Sequence, residues 1–179
     1  LTERVRVLCK EKGVTCKVMT PADLKKLGMR LLLAVGEGSA RPSMLLHLRY
    51  TPTEKSAHKH EAPIVLVGKG ITYDSGGLSL KTNEGMQDMK MDMAGSATVM
   101  SVLLAAAELK IPHPVDAVLA LAENMPSGTA LRPGDIIKSA AGKTVEINNT
   151  DAEGRLILAD ALHYACGLKP KYIIDVATL

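Results

Sequence analysis

Short apolar runs alternate along this chain with stretches of helical pattern, and that alternation limits the architectures open to it more than any other feature. The runs predict strands over residues 15–19, 45–50, 64–67, 115–122 and 172–177. Helices are predicted over residues 2–12, 21–27, 95–109 and 154–167, with Thr20 ahead of Pro21 as a cap. Such an order implies an α/β fold, a mixed central sheet flanked by helices. Phe and Trp are absent and only four Tyr occur, so Leu, Val, Ile, Ala and Met must build the core. The Pro- and Gly-containing stretch 124–134 reads as an active-site loop rather than a domain boundary.

The densest chemistry lies in Asn149-Thr150-Asp151-Ala152-Glu153-Gly154-Arg155. In an extended segment alternate residues share a side, which would turn Asp151, Glu153 and Arg155 toward one pocket. Two acids on one face repel unless a proton or a cation lies between them. A solvated helix N-terminus explains the same acids through the helix dipole, and the motif alone leaves both readings open.

A second segment favours the pocket. Lys69 follows the apolar run 64–67 and is expected at a strand end, between Gly68 and Gly70. Asp74 stands just before Gly76-Gly77, and Asp92 lies among methionines ahead of a predicted helix, with Lys90 its only obvious basic neighbour. Asp74, Asp92, Asp151 and Glu153 thus gather at element ends, with Lys69, Lys81 and Arg155 as cations. Hard oxygen ligands suit divalent metals, and bridging carboxylates hold two ions roughly 3.5–4 Å apart.

These segments, Gly68-Lys69-Gly70-Ile71-Thr72-Tyr73-Asp74-Ser75-Gly76-Gly77, Asp92 in its Met-rich setting and the block 149–155, closely resemble the leucyl aminopeptidase (cytosol aminopeptidase) family. The resemblance runs from about Pro21 to the end and departs only at Tyr73, where Phe is common. It implies a metalloexopeptidase that releases N-terminal residues such as leucine by attack of a dimetal-bridging water on the peptide carbonyl. Asp74 and Glu153 would bridge two divalent ions, Zn2+ with Mn2+ or Mg2+ able to replace one. Asp151 would complete the exchangeable site, and Lys69 and Asp92 the tighter one. Lys81 would stabilise the oxyanion, and Arg155 would hold a bicarbonate that relays a proton. A lysine ligates only as the free amine, against an ordinary pKa near ~10.4, so Lys69 needs two dications beside it. The substrates implied are peptides with a free N-terminus, and the assembly implied is a hexamer.

Other classes fare worse. A phosphate loop needs the full Gly-x-x-x-x-Gly-Lys-Ser/Thr spacing, which is absent around Lys69. Ser75 and Ser79 have no histidine nearby in sequence to activate them. His58 and His60, in the polar loop 53–61, are read as solvated for want of a third ligand in the sequence around them, and nothing is assigned to His47, His113 or His163. Met86, Met89, Met91 and Met93 suit either a substrate pocket or the core. A net charge of +3 and the lack of a basic tract give no reason to expect nucleic acid as a partner. No run is long enough to span a membrane, and Cys9, Cys16 and Cys166 lack zinc-site spacing, so reduced thiols in a cytoplasmic protein are expected.

The chain opens without Met and closes at a buried strand, Asp175 to Leu179. Residues 1–179 are therefore expected to be part of a C-terminal catalytic domain, with an N-terminal domain and the end of the catalytic domain outside the sequence. An inactive binding or assembly module, including a DNA-binding one, and a phosphate-handling metalloenzyme are the alternatives to an active peptidase.

Overall fold

A computed structural model describes residues 1–53 and 56–178; Glu54 and Lys55 of the loop 53–61, and Leu179, lie outside the described residues. In chain order the elements are α1 (Thr2–Glu11), β1 (Thr15–Met19), α2 (Pro21–Lys26), α3 (Arg30–Gly36), β2 (Met44–Tyr50), β3 (Ile64–Asp74), α4 (Asn83–Met86), α5 (Ala94–Glu108), β4 (Val115–Asn124), β5 (Ile136–Lys138), β6 (Thr144–Glu146), α6 (Glu153–Gly167) and β7 (Tyr172–Val176). Short 3-10 turns at Met89–Met91 and Thr150–Ala152 lead into α5 and α6.

The long strand β4 shows how the sheet sorts its side chains. Val118, Ala120 and Ala122 join one core, while Val115, Ala117, Leu119 and Leu121 join the other, as the two-residue period of a strand requires. Leu24 of α2, Leu31 and Leu32 of α3 and Ile157 of α6 cover the first face. Val5 of α1 and Val99 and Leu103 of α5 cover the second. Both faces of β4 are dry, which explains why it reads as a continuous apolar run rather than an alternating one.

The sheet order is β1-β2-β4-β3-β7. Strands β1, β2 and β4 pair antiparallel, whereas β3 runs parallel to both β4 and β7. The sheet is mixed and flanked by helices, as the sequence predicts. From β3 the chain passes through α5 to β4 on one side; from β4 it returns through α6 to β7 on the other. The crossovers that follow the adjacent strands β3 and β4 thus run in opposite directions over opposite faces, and open α/β sheets take ligands in the crevice at the carboxyl ends of such strands.

Several expectations need correcting. Strand β3 does not stop at Val67 but continues to Asp74, so Lys69 sits inside the strand, paired with Ala120, and Asp74 marks its end. The flanking glycines leave the hydrogen-bond ladder intact. Neither α3 nor the β5–β6 hairpin is apparent in the sequence; α3 has no side-chain cap of its own, and each strand of the hairpin has only three residues. The stretch 124–134 reaches the acids through Asn124, whose Nδ2 donates to Asp74 Oδ1, while the residues after it pack elsewhere. Asn124 ends β4, Thr129 Oγ1 donates to the Glu37 carbonyl at 2.6 Å beside α3, and Leu131 is buried in the core.

Candidate metal centre

Strand period places Lys69 on the α6 side of the sheet, in step with Val65, Val67 and Ile71 of that core. Its path crosses the first turn of α6, where a Cβ on Gly154 would lie 2.8 Å from Lys69 Cε. Only glycine lets the lysine through. Its Nζ then meets Asp92 Oδ1 at 2.8 Å, Glu153 Oε1 at 2.9 Å and the Thr178 carbonyl at 3.1 Å. Lys69 is 6% exposed, Asp92 5% and Glu153 2%, so this is a buried charge cluster. Asp92, which has only Lys90 nearby in sequence, takes its partner from another element of the fold.

Beyond β3 the chain turns sharply. Gly76 and Gly77 adopt φ of +87° and +67°, a region that L side chains avoid. The turn is closed by Lys81 N donating to the Ser75 carbonyl at 2.9 Å, which brings Lys81 back over Asp74. Lys81 Nζ lies 3.1 Å from Asp74 Oδ2 and 2.5 Å from Asp151 Oδ1. Asp74 Oδ1 is oriented separately, accepting from Asn124 Nδ2 at 2.8 Å and from Gly76 N at 2.9 Å.

The block 149–155 is not extended. Asp151 lies in a 3-10 turn and Glu153 opens α6, yet Asp151, Glu153 and Arg155 all line the same cleft of about 430 Å3. The pocket and the helix N-terminus offered by the sequence are therefore one place. Lys69, Asp74, Lys81 and Asp92 line the cleft as well, so every predicted site residue reaches it. Arg155 is exposed at its rim. Met89 and Met91 line it, whereas Met86 offers its carbonyl to the Tyr73 hydroxyl at 3.2 Å. Ser75 Oγ donates to the Asn124 carbonyl at 2.8 Å, an ordinary structural bond.

Two further residues contribute without a local signal in the sequence. Asn124 bridges Asp74 and the Thr150 carbonyl, the latter at 3.0 Å, which locks β3 to the turn before α6. Thr178 donates its hydroxyl to Asp92 Oδ1 at 2.5 Å while its carbonyl faces Lys69. Both stand at or just past a strand end, and only that position hints at a role.

The electrostatics are unbalanced. Four carboxylates (Asp74, Asp92, Asp151, Glu153) face two ammonium groups (Lys69, Lys81), so acids outnumber bases even with the exposed Arg155 guanidinium counted at the rim. Burial works against the charge on Lys69, but Asp92 and Glu153 outweigh it and hold its pKa above the ordinary lysine range. Burial likewise opposes the charge on Lys81, and Asp151 and Asp74 overcome it. Burial, then the charge of Asp74, pushes the Glu153 carboxyl up despite the pull of Lys69. One lysine shared between two acids cannot neutralise both.

The donor set fits divalent cations. One oxygen from each of Asp74, Asp151 and Glu153 lies within 4.8 Å of the others. Asp92 Oδ2, Asp151 Oδ1 and Glu153 Oε2 are buried without a hydrogen-bond partner among the described residues; Asp151 Oδ1 is close to Lys81 Nζ but not aligned for a bond. Buried carboxylate oxygens left without donors are costly unless a cation takes them. A larger cleft of about 620 Å3 lies beside α3, but its acids Glu37 and Asp135, the latter paired with Arg132, form no such convergent set among the described residues.

Fold and site together define an α/β protein with a carboxylate-rich, lysine-containing centre at the carboxyl edge of its parallel strands. The chain belongs to the cytosol aminopeptidase family: the model of that family's catalytic domain matches residues 1–179. It is 51% identical over 180 residues to a probable cytosol aminopeptidase of Desulfovibrio desulfuricans, covering 100% of this chain and 35% of that protein. It is 52% identical over 180 residues to the cytosol aminopeptidase of Pseudomonas aeruginosa, covering 100% of this chain and 36% of the relative. Among solved structures, the bottromycin maturation enzyme BotP in complex with Mn superposes with a TM-score of 0.90 at 44% identity, over 99% of this chain and 38% of BotP. The chain thus spans little more than a third of the length of the relatives it matches.

Proposed function

We propose that this chain carries the dimetal centre of a metal-dependent aminopeptidase, as part of a catalytic domain, and removes N-terminal residues, leucine among them, from peptides. The observation that carries the reading is the convergence of Asp74, Asp151 and Glu153 oxygens within 4.8 Å, beside Lys69 and Asp92 and with carboxylate oxygens left unbonded. Asp74 and Glu153 would be shared by two cations, Asp151 would complete one site, and Lys69 and Asp92 the other. Zn2+ is proposed, with Mn2+ or Mg2+ at the exchangeable position; the Mn complex of BotP lends support to manganese. When bound, the two ions polarise the peptide carbonyl and acidify water near neutral pH.

The chain's own residues supply the rest. Lys69 would ligate as the free amine, releasing the proton that Asp92 and Glu153 retain on it in the absence of metal. Lys81 keeps its proton and, released from Asp74 and Asp151 when cations neutralise them, points an ammonium at the developing oxyanion. Arg155 at the rim would hold a bicarbonate as the proton relay. Asn124 fixes the orientation of Asp74 throughout. A hexameric assembly and a cytoplasmic location are proposed from family membership.

The test is metal retention with activity. After Mn2+ loading and dialysis, about two ions per chain are expected, fewer in Asp151→Ala and Glu153→Ala, together with chelator-sensitive hydrolysis of leucyl anilide and none of phosphate esters. A folded chain that retains no Mn2+ would refute the centre. Retained Mn2+ with phosphatase but no peptidase activity would refute the substrate class.

A further inference from the structure

The opposite edge of the sheet brings together three residues that the sequence keeps apart. His58 Nδ1 lies 2.6 Å from Glu61 Oε1, and His113 Nδ1 lies 3.3 Å from Glu61 Oε2. The two imidazole rings lie side by side, centroids 4.4 Å apart and planes tilted by 35°, so both Nδ1 atoms face one carboxylate. One ligand atom from each of His58, Glu61 and His113 falls within 4.8 Å of the others. His113 supplies the third ligand that is missing from the sequence around His58-Lys59-His60.

This juxtaposition is held by the backbone. Ser56 Oγ donates to the Pro112 carbonyl at 2.7 Å, Ile64 N to the Pro114 carbonyl at 3.2 Å, and Glu61 N to the His58 carbonyl at 3.0 Å. Lys171 N bonds the Pro63 carbonyl at 2.9 Å, and its ammonium reaches Glu61 Oε2 at 3.9 Å from a side chain that is 52% exposed. Lys171 can therefore swing into water when a cation takes its place. The cluster lies ahead of β3 and β4, whereas Asp74 ends β3; the eleven residues of β3 set its two ends roughly 33 Å apart. Any ion here is independent of the acidic centre.

We propose that His58, Glu61 and His113 form a separate surface site for a first-row transition-metal dication such as Zn2+ or Cu2+. Two neutral imidazoles and one carboxylate, with water completing the shell, suit these ions better than Mg2+ or Ca2+. Binding replaces whatever proton the two rings and the carboxylate share, and it ties the loop ahead of β3 to the segment ahead of β4.

The proposal is independent of the aminopeptidase reading, and its test separates the two. Purified chain is titrated with Zn2+ by calorimetry, alongside His58→Ala, His113→Ala, His60→Ala and Asp151→Ala, each checked for fold by circular dichroism. Wild type, His60→Ala and Asp151→Ala should bind one equivalent that His58→Ala and His113→Ala lack. Cu2+-loaded protein should show nitrogen hyperfine structure from two imidazoles, reduced in both of the latter variants. An unchanged zinc count in His113→Ala, or a loss in His60→Ala as large as in His113→Ala, would overturn the site.

Discussion

Asp160 offers a test of how the scaffold holds the elements around the candidate centre in place. It lies on α6, fully buried, and its carboxylate caps a helix distant in sequence. Oδ2 accepts from Leu31 N at 2.9 Å and Leu32 N at 3.1 Å, the open N-terminal donors of α3, while Oδ1 accepts from Ala140 N at 2.8 Å after β5. Burial pushes its carboxyl pKa up, against the pull of these three N–H donors. In Asp160→Asn the amide oxygen still serves Leu31 and Leu32, but the NH2 then faces Ala140 N–H, donor against donor. One unsatisfied buried donor costs about 1–3 kcal/mol. Asp160→Ala strips all three donors, and at the lower end of that range the loss is about 3–5 kcal/mol. With a urea slope of roughly 2 kcal/mol per molar, the midpoint should fall by ~0.5–1.5 M for Asn and ~1.5–2.5 M for Ala. Chemical denaturation followed by far-UV circular dichroism reads both. If both variants unfold within ~0.3 M of wild type, or Asn costs more than Ala, the assignment of Asp160 as an inter-element cap is wrong.

Two further outcomes are expected. Burial alone would raise the Asp116 carboxyl, but the bidentate Arg49 guanidinium at 2.7 Å, with His47 nearby, holds it below the ordinary range. A depressed acid contributes stability that is present above its unfolded pKa near ~3.9 and lost as pH falls through the folded value, so the stability gap between wild type and Asp116→Asn should shrink below about pH 4 in acid titrations of unfolding. Gly154→Ala places a methyl 2.8–3.0 Å from the Lys69 side chain, so it should weaken Mn2+ retention by tenfold or more while urea stability drops by only about 1–3 kcal/mol; unchanged retention would show that Lys69 does not depend on that passage.

The linear order of residues carried the architecture well. Apolar runs mark β2 and β4 to within a residue or two because strands buried on both faces must be apolar throughout; the half-exposed edge strands β1 and β7 are marked by their β-branched and aliphatic residues. The block 149–155 and the glycine-rich segment 68–77 hold five of the seven candidate residues, with Lys81 and Asp92 between them, and their residue types make little sense without a shared cation. Weak or ambiguous local signals hide the remaining elements. Gly68 and Gly70 suggest a strand end, yet β3 runs past them because the ladder needs backbone, not side chains. Helix α3 has no cap of its own and borrows Asp160 from α6, a contact 128 residues away. The sequence by itself thus determined the α/β class and the aliphatic core through composition and period, and the chemical character of the candidate centre through its motifs. Only the tertiary structure decided who meets whom: Lys69 between Asp92 and Glu153, Asn124 on Asp74, and His113 beside His58. Those pairings depend on crossovers that bring distant strand ends to one edge, and no local pattern of residues records where a crossover lands.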